Sequence, residues 1–191
     1  MKNYLKILSI ALTSIIIASC SSDDDAPIPV NEEEVITTVI ATFTPVGVGT
    51  TVVLTSKDLD GDGPNSPEVT ISGPFSSNTN YNGAIQFLNE LESPAEDITE
   101  EVEEEGLEHQ VFYNITNGIG EMTYNDEDIN GDPIGLSVIF QSITSNDPIN
   151  GTIIITLRHE PNKGGEGVSN GDITNAGGET DAQVSYNVSL Q

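Results

Sequence analysis

The stretch Asp58-Leu59-Asp60-Gly61-Asp62-Gly63 places carboxylates at alternate positions and a glycine at the sixth, a spacing that wraps a hard cation such as calcium. An EF-hand would carry a bidentate glutamate at position 12, where this chain has Val69, and no helical pattern flanks the loop. Glu68 is the nearest substitute. The expectation is a calcium-binding β-loop through Asp58, Asp60, Asp62 and Glu68, set against an Asp/Gly-rich hairpin turn that needs no ion. Asp126-Glu127-Asp128-Ile129-Asn130-Gly131-Asp132 repeats the order and offers Asp126, Asp128, Asn130 and Asp132 as a second calcium loop. Here Asn130-Gly131 alone suffices for a tight turn.

The two histidines each stand among carboxylates: His109 after Glu105 and Glu108, His159 before Glu160. Imidazole and carboxylate together suit a transition metal such as zinc, with His109, His159, Glu105, Glu108 and Glu160 as candidate ligands. Fifty residues separate the two rings, so only the fold can join them. Rings more than about 10 Å apart could not share an ion whose Zn–N bonds are about 2 Å long. The competing reading ion-pairs Arg158 and His159 with the acidic segment before His109. No catalytic constellation emerges. His159-Glu160 runs into Pro161 without the second histidine of a zinc-protease helix, and no serine occupies a G-x-S-x-G elbow. These residues read as binding groups in a protein that is not an enzyme.

What must position them is a set of short β-branched and apolar runs broken by Gly, Asn, Asp and Pro. Nine runs stand out: 35–43, 51–55, 69–72, 84–88, 111–116, 120–124, 136–143, 152–157 and 184–190. They predict an all-β fold, an Ig-like or related antiparallel β-sandwich of about nine strands. Residues 152–157 have a continuous apolar centre and should be buried on both faces. Ser93-Pro94-Ala95-Glu96 reads as an N-cap, a first-turn proline and a capping-box glutamate, so one short acidic helix should run to about Gly106. Glu103, Glu104 and Glu105 at its carboxyl end oppose the helix dipole, which calls for a cation there. Residues 164–178 read as a long, exposed, glycine-rich loop.

The first nineteen residues have a charged start at Lys2 and Lys6, an apolar run from Ile7 to Ile17, and small residues at Ala18 and Ser19. The run is too short for a membrane-spanning helix, which needs about 20 residues. Ile17-Ala18-Ser19-Cys20 resembles the lipobox of bacterial lipoproteins, which implies cleavage before Cys20 and its modification by palmitate-type acyl chains. Asp23-Asp24-Asp25 resembles the surface-export signal of Bacteroidota lipoproteins. The expected organisation is a signal peptide at 1–19, a lipidated acidic tether at 20–34, and one β-sandwich domain at 35–191. Without the signal, only Lys57, Arg158 and Lys163 face 31 carboxylates, a formal charge of −28. So negative a surface repels phosphate and disfavours nucleic acid; cations are its natural ligands.

Residues 93–105, Glu108-His109-Gln110, residues 157–163 and Ala176-Gly177-Gly178-Glu179-Thr180-Asp181 together resemble a family of flavobacterial lipoproteins often labelled type 1 periplasmic binding fold superfamily protein. That label names two α/β lobes, whereas the runs here contain one helix, so the fold expectation follows the runs. The resemblances imply an outer-membrane location, anchoring in lipid through acylated Cys20, exposure at the cell surface with the periplasmic face as the alternative, and a TonB-dependent transporter as partner. Two functions are expected: a lipid-anchored, cation-binding envelope protein accessory to such a transporter, or an adhesin-like structural module with calcium-rigidified loops.

Overall fold

The computed structural model describes residues 34–61 and 63–191; the expected signal peptide, Cys20, the tether as far as residue 33, and Asp62 lie outside the described residues. Each of the nine runs forms a strand: β1 (Thr38–Pro45), β2 (Val52–Lys57), β3 (Glu68–Ile71), β4 (Asn80–Asn89), β6 (His109–Ile115), β7 (Gly120–Tyr124), β8 (Ser137–Ser142), β9 (Ile149–His159) and β10 (Glu179–Leu190). A tenth, β5 (Glu96–Asp97), pairs with the end of β4. One sheet has the order β3-β2-β1-β4-β8-β7 with β5 beside it, and the other has the order β10-β9-β6. Every strand pairing is antiparallel, giving the all-β sandwich that the runs imply.

Period-two alternation sends one face of each sheet into the core. Val39, Ala41 and Phe43 of β1, Tyr81, Ile85 and Phe87 of β4, and Phe140 of β8 meet Ile153, Ile155 and Leu157 of β9 and Tyr186, Val188 and Leu190 of β10. Phe43, Phe75, Tyr81 and Phe140 pack edge to face, with ring centroids 4.9–5.9 Å apart, the geometry their quadrupoles favour. The Tyr186 hydroxyl donates to the Val39 carbonyl at 2.9 Å and so ties β10 to the opposite sheet. Among the described residues no helix is long and apolar enough to cross a membrane.

Two sequence expectations change. The helix α1 spans Ile98–Glu104, and its N-cap is Asp97, whose side chain accepts from the Thr99 N–H, so neither Ser93 nor Pro94 begins it. Ile98 and Val102 form the buried stripe and Thr99 bonds the Phe87 backbone, whereas Glu96 and Asp97 are held extended by pairing with β4. The capping motif was outcompeted by tertiary pairing. The glycine-rich stretch 164–178 is not simply exposed: its two 3₁₀ turns, Val168–Asn170 and Ile173–Asn175, lay Val168, Ile173 and Ala176 against Phe112 on the outer face of the three-stranded sheet. That covering layer is why Thr156 is buried and Ile154 half-buried, although both point away from the main core.

Candidate metal centre

The three-stranded sheet brings the histidines together. His109 opens β6 and His159 closes β9, and the two are direct cross-strand partners, so their side chains share a face. Their ring centroids are 4.6 Å apart. On the other side of β9, the register runs Glu179 to His159 and Thr180 to Arg158, then resumes at Ala182 with Leu157. Asp181 is therefore the extra residue of a β-bulge, a device that re-aims a side chain, and its carboxylate turns in toward the rings. Gly178 makes the approach to this bulge possible: it has a positive φ of 70°, and a Cβ there would sit 2.2 Å from the His159 carbonyl oxygen.

The fourth group comes from outside the sheet. Glu34, read from the sequence as the end of the tether, belongs to the folded unit and buries its carboxylate between the histidines. Glu34 Oε1 lies 2.9 Å from His109 Nε2 and Glu34 Oε2 lies 3.8 Å from His159 Nδ1. Asp181 stands 4.0 Å from His109 Nε2 and 3.9 Å from His159 Nδ1. Glu34, His109, His159 and Asp181 each present one donor atom, all within 4.8 Å of one another. The four side chains are 4%, 0%, 4% and 3% exposed, respectively.

These separations bracket the distance of about 3.4 Å between neighbouring donors of a tetrahedral ion with bonds near 2.1 Å. The outward nitrogens fit the same picture. His109 Nδ1 donates to the Glu105 carbonyl at 3.2 Å, which leaves Nε2 facing the other three groups. His159 Nε2 faces the Glu108 carboxylate at 3.8 Å while Nδ1 faces inward. Metal-bound histidines are held in this way, by a carbonyl or carboxylate on the far nitrogen. His109 Nε2 and Glu34 Oε2 lie within ion-pair distance of Glu34 Oε1 and His159 Nδ1, respectively, but among the described residues neither has a well-aligned hydrogen bond, a buried state that an ion between them would relieve.

Of the transition-metal candidates read from the sequence, His109 and His159 meet, and Glu105 and Glu108 stand behind them rather than between them. Glu105 acts there through its carbonyl, while its carboxylate groups with Glu34 and Glu101. Glu160 groups with Glu108 and His159 on the exposed side. Arg158 does not reach the helix: it donates to Thr180 Oγ1 at 2.7 Å and to the Gly178 carbonyl at 3.3 Å. The cation at the carboxyl end of α1 is Lys163, which donates to the Gly106 carbonyl. Glu34 and Asp181 were missed. Glu34 sits in an acidic run where neighbouring glutamates look alike, and Asp181 lies at a bulge that the sequence pattern does not announce.

The acidic loops are held differently. Asp60 Oδ2 accepts from the Asn65 amide at 2.6 Å, Asp58 Oδ1 accepts from the Asp60 N–H at 3.3 Å, and Glu68 lies in β3 opposite Lys57. In the second loop, Asp126 accepts from the N–H groups of Gly135 and Ser137, both at 2.8 Å. Asp128 Oδ1 accepts from the Asn130 and Asp132 N–H groups and Oδ2 from the Lys163 ammonium at 2.9 Å. Lys163 thus supplies internally the positive charge that a bound cation would bring. Among the described residues, the clusters of three or more converging donors include none of Asp58, Asp60, Glu68, Asp126, Asp128 and Asp132.

The chain matches no family model, no curated protein and no solved structure.

Proposed function

We propose that this protein is a lipid-anchored, non-enzymatic binding protein of the cell envelope, whose β-sandwich holds a divalent transition metal of the zinc class between Glu34, His109, His159 and Asp181. The observation that carries the reading is the convergence of two imidazoles and two carboxylates, all buried, with their far nitrogens already oriented. Two carboxylates balance the charge of one divalent ion, and an N₂O₂ donor set is of the kind zinc accepts. Four protein donors leave no open coordination position, which favours retention of the ion over hydrolysis of a substrate. Anchoring through acylated Cys20, and a TonB-dependent transporter as neighbour, rest on the N-terminal sequence and on the family resemblance.

A second role is favoured by one feature of the site. Glu34 precedes β1 of the larger sheet, whereas the other three ligands belong to the smaller sheet. An ion here joins the two sheets, as a disulfide would in a chain with more than one cysteine. On this reading the metal rigidifies an adhesin-like surface module. Transfer to a chelator separates the two: ion exchange within minutes fits a binding protein that delivers metal, and retention over days fits the structural module.

The test of the site is titration of metal-free protein with zinc chloride. The intact chain should bind with a dissociation constant below about 1 µM, a free energy of about −8 kcal/mol, and the His109→Ala/His159→Ala double variant should lose that binding. Equal affinity in the two proteins would overturn the assignment. Anchoring is tested by mass spectrometry of the membrane-extracted protein, which should begin at an acylated Cys20; a chain retaining residues 1–19 would contradict it.

A further inference from the structure

We propose that the outer face of the three-stranded sheet binds a neutral glycan, a chain of uncharged sugar units lying across Thr152, Ile154 and Thr156 of β9, between Asn114 of β6 and Gln183 and Asn187 of β10. The metal centre lies at the other end of β9, around His159, and the two proposals stand or fall separately.

Period-two alternation turns Gly151, Ile153, Ile155 and Leu157 toward the core, so Thr152, Ile154 and Thr156 share the outer face. The register adds their neighbours. Asn187 pairs with Thr152, Ser185 with Ile154 and Gln183 with Thr156 on one side, and Asn114 pairs with Ile154 on the other; directly paired residues point to the same face. Two cavities adjoin this face. One, of about 570 Å³, is lined by Asn117, Asn150, Thr152 and Asn187, with Gly73 and Pro74 after β3 as a wall. The other, of about 410 Å³, lies where the glycine-rich covering layer stops: it is lined by Asn114, Ile154, Thr156 and Gln183 from the sheet and by residues 171–174 from the layer. Both volumes are of the size of small-ligand sites. Thr152 in the first and Thr156 in the second are about 13 Å apart along the strand, so a ligand that fills both cavities is a chain of linked units.

The lining is uncharged, against the character of the chain. Acidic residues number 31 in the sequence, yet among the described residues Asp172 is the one charged group bordering either cavity, and its Oδ1 accepts from the Thr174 N–H at 2.9 Å. Recognition here therefore rests on hydrogen bonds to neutral groups. Side-chain amides and hydroxyls both donate and accept, as sugar hydroxyls do. The amides are also fixed in place. Asn117 Nδ2 donates to the Asn150 carbonyl at 3.0 Å, Thr152 Oγ1 donates to Asn187 Oδ1 at 3.2 Å, and Gln183 Nε2 donates to Thr156 Oγ1 at 3.1 Å. Each bond engages one polar atom of the amide; the other, Asn117 Oδ1, Asn187 Nδ2 or Gln183 Oε1, makes no hydrogen bond among the described residues. Groups ordered before the ligand arrives lower the cost of binding it. Ile154, half-buried, offers an apolar contact for the C–H face of a sugar ring. A protein partner is disfavoured, because the core of a protein interface is apolar and rich in aromatic residues, whereas the exposed side chains here are those of Asn114, Gln183, Ser185 and Asn187.

The test is native electrophoresis of the intact chain through gels cast with dextran, mannan, xylan or β-glucan, with polygalacturonate as the anionic control. The negative charge of the protein carries it through such gels, so binding reads as retardation. At least one neutral polysaccharide should retard the wild type, and polygalacturonate should not. Calorimetry with the hexasaccharide of the retarding polymer should give a dissociation constant below about 1 mM, weakened more than about tenfold both in Asn117→Ala/Asn187→Ala and in Asn114→Ala/Gln183→Ala. All four residues are exposed, so both variants should melt with the wild type. Asn82→Ala, exposed on the larger sheet, should bind as the wild type does. Retardation by none of the neutral polysaccharides would overturn the proposal, as would affinity unchanged in either double variant. A wild-type dimer that the double variants dissociate would assign the face to a second copy of the chain and overturn it equally.

Discussion

His109 and His159 stand directly opposite each other across β6 and β9, with ring centroids 4.6 Å apart, although fifty residues separate them in the chain. The register places Glu179 opposite His159, but the β10 carboxylate that joins the group is that of Asp181, the extra residue of the bulge. The site is therefore a product of strand register more than of local sequence.

Ligands and their supports should respond differently to substitution. Asp181→Asn removes a charged donor from the cluster and should abolish tight zinc binding. Glu108→Gln, behind His159 at 3.8 Å, should cost about tenfold, as loss of an outer carboxylate partner typically does. Calorimetric titration of both variants checks the order. A larger loss in Glu108→Gln than in Asp181→Asn would place the ion on the exposed side, with Glu108 and Glu160.

Zinc binding should weaken as the solution is acidified, because metal and proton compete for the same imidazole lone pairs and binding releases protons. Titrations at pH 5.5 and 7.5 would show this; a zinc affinity independent of pH would count against imidazole ligands.

Lys163 and Asp128 form a buried ion pair, with side chains 7% and 2% exposed. Lys163→Met leaves the Asp128 charge unmatched and should destabilise the domain by about 3–5 kcal/mol. Burial pushes the Asp128 carboxyl up, but the Lys163 ammonium and the Asp132 and Asn130 N–H groups outweigh it and hold the carboxyl below its usual range. A depressed folded value means that this stabilisation is present above about pH 3.9 and fades as pH falls through the lower folded value. Acid unfolding should therefore begin at higher pH in Lys163→Met than in wild type. Coincident acid transitions would show that the pair contributes little.

The strands were legible because each is a short β-branched or apolar run bounded by turn residues, and several alternate; β7 matches its run to the residue, and the rest shift by a few positions. The helix start was misread, since Ser93 to Glu96 satisfies a local capping rule while the pairing of Glu96 and Asp97 with β4 is nonlocal. The histidine pair was legible as a question, because two imidazoles among carboxylates are rare enough to notice, but their partners were not. Glu34 is one glutamate in a run, and Asp181 is the extra residue of a bulge that no local signal in the sequence announces. The need for a cation at the end of α1 was visible from Glu103 to Glu105, but that Lys163 meets it, also sealing the Asp128 loop, depends on the path of residues 160–163.

The most direct measurement is anomalous scattering at the zinc absorption edge from crystals of the zinc-loaded protein. A peak should lie about 2.0–2.2 Å from His109 Nε2, His159 Nδ1 and one oxygen each of Glu34 and Asp181. A peak on the acidic loops or at Glu160, or the four side chains in place with no ion between them at saturating zinc, would contradict the assignment.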